Sequence, residues 1–355
     1  MKATIITMTR TYNYGATLQA YALQEYIRCM GNDCLIIDHM NPGETHRKVS
    51  IKDLSFGNLL KLPYKKRLED GYRRFECFYR NHMNMTRPYY SESELFADPP
   101  VADVYISGSD QVWNPRDAKL NRFFLNFAPE EKKRISYAAS LGVSNIPEEN
   151  KKQISDYLQK IDGISLREEK AYDSIRELTD KPISVNCDPV FLLDREQWRA
   201  IQSPVDGLKP GEYILCYLIY RPEWFSEWIK QIGKKTGKKI VVVGLQGYRR
   251  IRCDRYIRDA GPSEFLWLID NAAAVATTSF HGSAFSILFG KPLVAIPDPP
   301  RPTRIRNLLK LFGLERSELN NNDSRFEFEE YSIEKVDAIV KIEREKSENY
   351  LRDFL

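Results

Sequence analysis

Histidine is scarce in this chain: only four stand among 355 residues, and none sits at zinc-ligand spacing from a cysteine. The six cysteines, Cys29, Cys34, Cys77, Cys187, Cys216 and Cys253, form no C-x-x-C pair. Neither a zinc knuckle nor a disulfide framework is expected; the thiols read as reduced and mostly buried. Long apolar runs are missing too. Segment 213–220 (YILCYLIY) falls far short of the roughly 20 residues that span a bilayer. The first eight residues, MKATIITM, lack the apolar core of a signal peptide, so a cytoplasmic protein is expected. Charge of one sign is also lacking. The 53 Lys and Arg against 49 Asp and Glu leave a formal +4, low for a dedicated nucleic-acid binder.

What is present points to a folded, globular α/β chain. Apolar residues make up 42% and charged residues 29%, and the length suits two domains. The first forty residues read as strand (3–8), polar turn, helix (16–30) and strand (35–38). Apolar runs at 104–107, 135–139, 161–166 and 183–186 alternate with helical stretches at 148–160 and 168–178. This alternation predicts a parallel sheet covered on both faces. Residues 201–212 (IQSPVDGLKPGE) read as a linker. The pattern then restarts: strand 213–219, helix 223–235, strand 240–245, helix 262–270, strand 272–278, helix 283–289 and strand 293–296. The expected fold is two Rossmann-like domains facing a cleft, 1–200 and 201–355, the second ending in a C-terminal helix. A basic, aromatic, partly helical insertion is expected at about 47–100. In such sheets ligands bind beyond the carboxyl ends of the strands.

Four segments at strand ends carry candidate chemistry. In the first, Asn13, Tyr14, Gly15 and Gln19 surround a turn into a helix, whose N-terminus favours an anion. It is not a G-x-G-x-x-G fingerprint. The second, residues 107–115, gathers Gly108, Ser109, Asp110, Gln111, Trp113 and Asn114, a density of short polar groups suited to a hydroxylated ligand. Asp110 is placed to accept a proton from a sugar hydroxyl. The third offers Arg167 as a planar fork for carboxylate or phosphate, or as a structural partner of Glu168 or Glu169; Asp188-Pro189-Val190 closes another strand similarly. The fourth, residues 277–284, sets Ser279, His281, Gly282 and Ser283 between an alanine-rich strand and an apolar helix. Arg301, Arg304 and Arg306 follow, readable either as cations closing over a ligand or as solvent charges.

Taken in order, 13–19, 107–113, 165–167, 188–191, 279–283 and Gly290-Lys291-Pro292 resemble the polysaccharide pyruvyl transferase family. The resemblance implies a fold similar to GT-B glycosyltransferases. It also implies transfer of pyruvate from phosphoenolpyruvate to a saccharide or lipid-linked oligosaccharide, forming a ketal in a surface or extracellular polysaccharide. Arg167 and His281 match basic residues that hold the donor in the family. One departure stands out: many members carry an arginine two residues before the histidine, where this chain has Ser279. Arg249, Arg301 or Arg304 is then the candidate replacement. The chemistry asks for a general acid, assigned to His281, and a base, assigned to Asp110; beyond the donor substrate, no cofactor or metal is expected. Two other readings compete: a nucleotide-sugar-dependent glycosyltransferase of the same fold, and a non-catalytic carbohydrate-binding protein of polysaccharide assembly.

The small net charge conceals local excesses. Residues 47–87 hold eleven Lys and Arg against four acids, and residues 230–258 hold ten against one. A peripheral contact with the inner membrane face is the corresponding expectation.

Overall fold

The computed structural model describes residues 1–40, 62–117, 120–143, 145–245, 251–297, 303–321 and 328–355, with side chains from residue 66 onward in the second stretch. These form two compact units. The first comprises 1–40, Tyr79–Leu193 and Val340–Leu355; the second comprises 62–78 and Asp194–Ile339.

The first unit is built on β1 (Lys2–Ile6), β2 (Asp33–His39), β3 (Met85–Tyr89), β4 (Val104–Ser107) and β5 (Lys133–Ser136), all parallel, in the order β3-β2-β1-β4-β5. Single bridges from Ile135 to Gly163 and from Ala139 to Leu166 extend it to β6 (Ile164–Leu166) and β7 (Ile183–Val185). This is the doubly wound order, reversing between β1 and β4. Apart from the exposed Lys2, β1 and β4 are buried on both faces, as strands covered by helices on both sides are.

The second unit repeats the plan with β8 (Tyr213–Tyr217), β9 (Lys239–Val243), β10 (Arg255–Ile257), β11 (Ala274–Thr277) and β12 (Leu293–Ala295), in the order β10-β9-β8-β11-β12. Its reversal falls between β8 and β11. A core of Ile214, Cys216, Phe225, Trp228, Ile229 and Val242 packs one face.

Several boundaries depart from the sequence reading. Residues 85–89, placed there in an insertion, are the edge strand β3. The strand is half exposed and carries Pro88, so it lacks the apolar alternation of an inner strand. Residues 62–78, expected in an insertion of the first domain, belong to the second unit. The main stretch of that unit begins at Asp194 rather than 201, because Asp194 caps the helix Arg195–Ala200 in a capping box and Trp198 meets the Phe285 ring edge-on at 4.9 Å. The C-terminal helix Ile333–Arg352 ends in the first unit, where the Tyr350 hydroxyl donates to the Ser136 carbonyl at 2.8 Å and Tyr26 donates to Glu348 at 3.0 Å.

The basic helix Leu62–His82 buries Phe75, Phe78 and Tyr79 and exposes Lys66, Arg67, Arg73 and Arg74. All six cysteines are unbridged; Cys34, Cys187 and Cys216 are buried, while Cys29 and Cys77 are exposed. Among the described residues no helix is long and apolar enough to cross a membrane, and no cluster of His, Cys, Asp or Glu could hold a metal ion.

Candidate functional site

In the first sheet the reversal of strand order opens a crevice where the chain leaves β1 and β4. An open pocket of about 420 Å³ lies there, lined by Met8, Thr11, Asn13, Asp110, Gln111 and Asn114 among others. The site expected from topology and the polar motifs therefore coincide. The surrounding backbone is strained. Arg10 (φ 60), Tyr12 (φ 49) and Asp110 (φ 78) hold left-handed conformations without being glycine, as does Ala138 (φ 48) after β5. Such residues persist where the surrounding structure over-determines them, and they cluster at functional sites.

Local bonds explain the shape. The Asn13 side chain accepts from the N–H groups of Gly15 (2.9 Å) and Ala16 (3.2 Å), capping the helix α1 (Tyr14–Cys29). Gly15 thus lies inside the helix rather than in the turn before it. Gln19, fully buried, donates to the Thr7 hydroxyl at 2.9 Å, and Thr7 donates to the Ser109 carbonyl at 2.7 Å. A Cβ on Gly108 would stand 3.1 Å from Ile5 and Thr7, so glycine lets the loop press on β1. Trp113, read from the sequence as part of a recognition loop, is core instead. It is fully buried and stacked on Phe124 at 4.6 Å, a contact worth about 0.5–1.5 kcal/mol beyond its burial. Asp110, Gln111, Asn13 and Asn114 face the pocket, whereas Tyr14, Gly15, Gln19, Gly108 and Ser109 form its buried support.

Arg167 belongs to that support. Its side chain is 2% exposed; it donates to Asp188 at 2.8 Å and to Glu168 at 3.0 Å. Ser109 stands 3.4 Å from both Arg167 and Asp188. Burial pulls the pKa of Arg167 down, but the charges of Glu168, Asp188 and Asp110 outweigh it and raise it. The guanidinium is thus held charged by carboxylates rather than presented as an open fork. Glu168 is thus the structural partner that the sequence offers for Arg167. Asp188 is legible there only as the end of another strand, and spacing alone cannot pair residues from different strands.

In the second sheet the equivalent crevice is bounded by the loops after β8 and β11. Thr278 ties them together, its hydroxyl accepting from Ile219 N–H at 2.8 Å. Ser279 caps the helix Phe280–Leu288, accepting from Gly282 N–H at 3.3 Å. The helix starts earlier than the 283 read from the sequence, because Gly282 disfavours a helix by composition yet is required by packing. A Cβ there would collide with the Thr277 hydroxyl and reach within 3.0 Å of the Tyr217 ring. Ser283 is fully buried and donates to the Ser279 carbonyl at 3.0 Å. Ser283 and Gly282, expected to bind substrate, therefore shape the helix start.

His281 sits in the first helical turn, 6% exposed, its ring edge-on to Phe280 at 5.2 Å. The Arg304 guanidinium lies over the Phe280 ring, 5.2 Å from its centroid. His281 and Arg304 thus both pack against Phe280, the first residue of a helix whose N-terminus favours an anion. Arg301 and Arg249 lie outside the described residues. Arg306 pairs with Glu318 at 2.8 Å and is a surface ion pair.

The sequence profile of the polysaccharide pyruvyl transferase family matches residues 13–298. That span runs from the cap of α1 to just past β12, the strand that follows the His281 helix. No curated protein sequence matches the chain. Among solved structures, the unliganded form of OtsA is similar over 99% of this chain and 98% of its own, at 10% identity and a TM-score of 0.53. UDP-GlcNAc 2-epimerase from Methanocaldococcus jannaschii is similar over 97% of this chain and 93% of its own, at 15% identity and a TM-score of 0.50. These likenesses concern the fold, two Rossmann-like units of the GT-B kind.

Proposed function

The chain belongs to the polysaccharide pyruvyl transferase family, and we propose that it moves the pyruvyl group of phosphoenolpyruvate onto two hydroxyls of a saccharide. The observation that carries this reading is positional. The profile match spans both sheets, and its polar motifs fall at the two points where strand order reverses.

The proposed roles follow from the chemistry. Phosphoenolpyruvate brings a phosphate and a carboxylate. The Phe280–Leu288 helix start and Arg304 supply N–H dipole and cation for them, Arg304 standing in for the arginine that Ser279 replaces. His281 gives a proton to the enol methylene, and C2 becomes electrophilic. A sugar hydroxyl attacks C2, losing its proton to Asp110. Phosphate leaves with its bridging oxygen, and a second hydroxyl closes the ketal, releasing the proton that restores the balance. Asn13, Gln111 and Asn114 are the hydrogen-bonding groups assigned to the saccharide. Arg167 positions the Ser109–Asp110 loop through Asp188 rather than touching the donor.

The test is release of phosphate from phosphoenolpyruvate in the presence of a lipid-linked oligosaccharide. Loss of His281 as general acid should lower that rate by about 10²-fold or more; near-normal turnover in His281→Ala would sink the assignment. Thermal stabilisation by nucleotide-sugars but not by phosphoenolpyruvate would favour a glycosyltransferase instead.

A further inference from the structure

The motif loops lie beyond the carboxyl ends of the strands. The opposite edge of the second sheet carries a different feature. There the helix Phe225–Thr236 stops at Gly237, in left-handed conformation (φ 67), and the chain enters β9 at Lys239. Lys230 and Lys234 from the helix, Lys238 and Lys239 from the turn, and Arg252 from the approach to β10 line an open groove of about 480 Å³. Gly233 and Ile240 also line it.

One carboxylate, Asp254, stands among these five cations, and it accepts the Ile240 N–H at 2.7 Å. Lys230 is matched by Glu227 at 3.6 Å and Lys239 by Glu212 at 3.3 Å. Lys238 donates to the Gly211 carbonyl at 2.7 Å. Among the described residues no carboxylate lies within ion-pair distance of Lys234, Lys238 or Arg252. A last-turn lysine is favoured by the helix dipole, which accounts for Lys234. It does not account for Arg252 and Lys238 arriving from other segments. Nor does it account for Lys230 and Lys234 standing one turn apart, a like-charge arrangement that costs a helix stability. A bound anion would reverse the sign of that cost.

We propose that this groove binds a phosphate-bearing anion of diphosphate size, independently of the pyruvyl transfer assigned to the other edge. Ammonium groups act as point charges on phosphate oxygens, and the Arg252 guanidinium adds a planar fork. The groove exceeds what a single phosphate would fill. The same chemistry is offered by a soluble diphosphate and by the phosphate of a lipid headgroup.

The experiment titrates inorganic diphosphate into the full-length protein by calorimetry, and in parallel sediments the protein with phosphatidylglycerol or phosphatidylcholine vesicles. The variant Lys234→Gln/Lys238→Gln/Arg252→Gln is compared with Lys310→Gln/Lys335→Gln/Lys341→Gln, which removes equal charge elsewhere. Diphosphate binding at least tenfold weaker in the first variant alone supports the groove. The charge-retaining Lys234→Arg/Lys238→Arg, with Arg252 left in place, should keep binding within about threefold. Phosphatidylglycerol binding lost in the same variant assigns the source to lipid; vesicles bound by neither protein assign it to soluble diphosphate. Equal weakening in both neutralised variants, or no binding of diphosphate or vesicles by the unmodified chain, overturns the proposal.

Discussion

The loops after β4 and β11 occupy the same place in their two sheets, each beside the strand that opens its unit, yet they are built in opposite ways. The first holds Asp110 at φ 78 and turns polar side chains to an open pocket. The second is relaxed and buried, and the hydroxyls of Thr277, Thr278, Ser279 and Ser283 are bonded within the protein. The first loop is strained and open, while the second is satisfied internally and keeps His281 buried. A varied saccharide and a small fixed donor would ask for that division.

The largest effect that tests this contrast is on Asp188. Asp188→Asn removes a fully buried partner of Arg167 and should cost about 3–5 kcal/mol in denaturant unfolding. Asp110→Asn should do the reverse. Phosphate release should fall about 10²-fold or more, close to 2.7 kcal/mol in barrier, while the unfolding free energy drops by no more than about 1 kcal/mol. A variant at Asp110 that unfolds easily but turns over normally would break the comparison. In the second loop Gly282→Ala should cost about 1–3 kcal/mol by overpacking on Thr277 and Tyr217; an unshifted melt would mean that loop yields as freely as the first. The smallest effect, about 1 kcal/mol, is expected for Ser279→Ala, which removes a helix cap. Asn13→Ala removes the corresponding cap in the first unit and should cost about the same. A larger drop in saccharide affinity for Asn13→Ala than for Ser279→Ala would sharpen the assignment of the first pocket to the acceptor.

Much of the fold was legible because inner strands are short apolar runs between helices of regular period. Val104–Ser107 and Pro262–Asp270 fall where periodicity puts them. The edge strands β3 and β10 were not legible. One is Met-Thr-Arg-Pro-Tyr and the other lies in a basic run, and a strand paired on one side needs no continuous apolar face. For the site, sequence order located the motif loops but not which of their residues face outward. Gln19, Ser283 and Arg167 look like ligand groups in a string of letters. Their burial follows from contacts with Thr7, Ser279 and Asp188, which only the folded chain supplies.

The order in which the units take up the chain also bears on how the molecule could be divided. The chain passes between the units four times, and the first unit is assembled from three separate stretches. No single cut releases two self-sufficient halves. A fragment ending at residue 339 would leave the second unit whole and strip the first of Tyr350 and its bond to Ser136. Grafting a whole first unit between relatives would therefore require moving all three stretches together, Val340–Leu355 included.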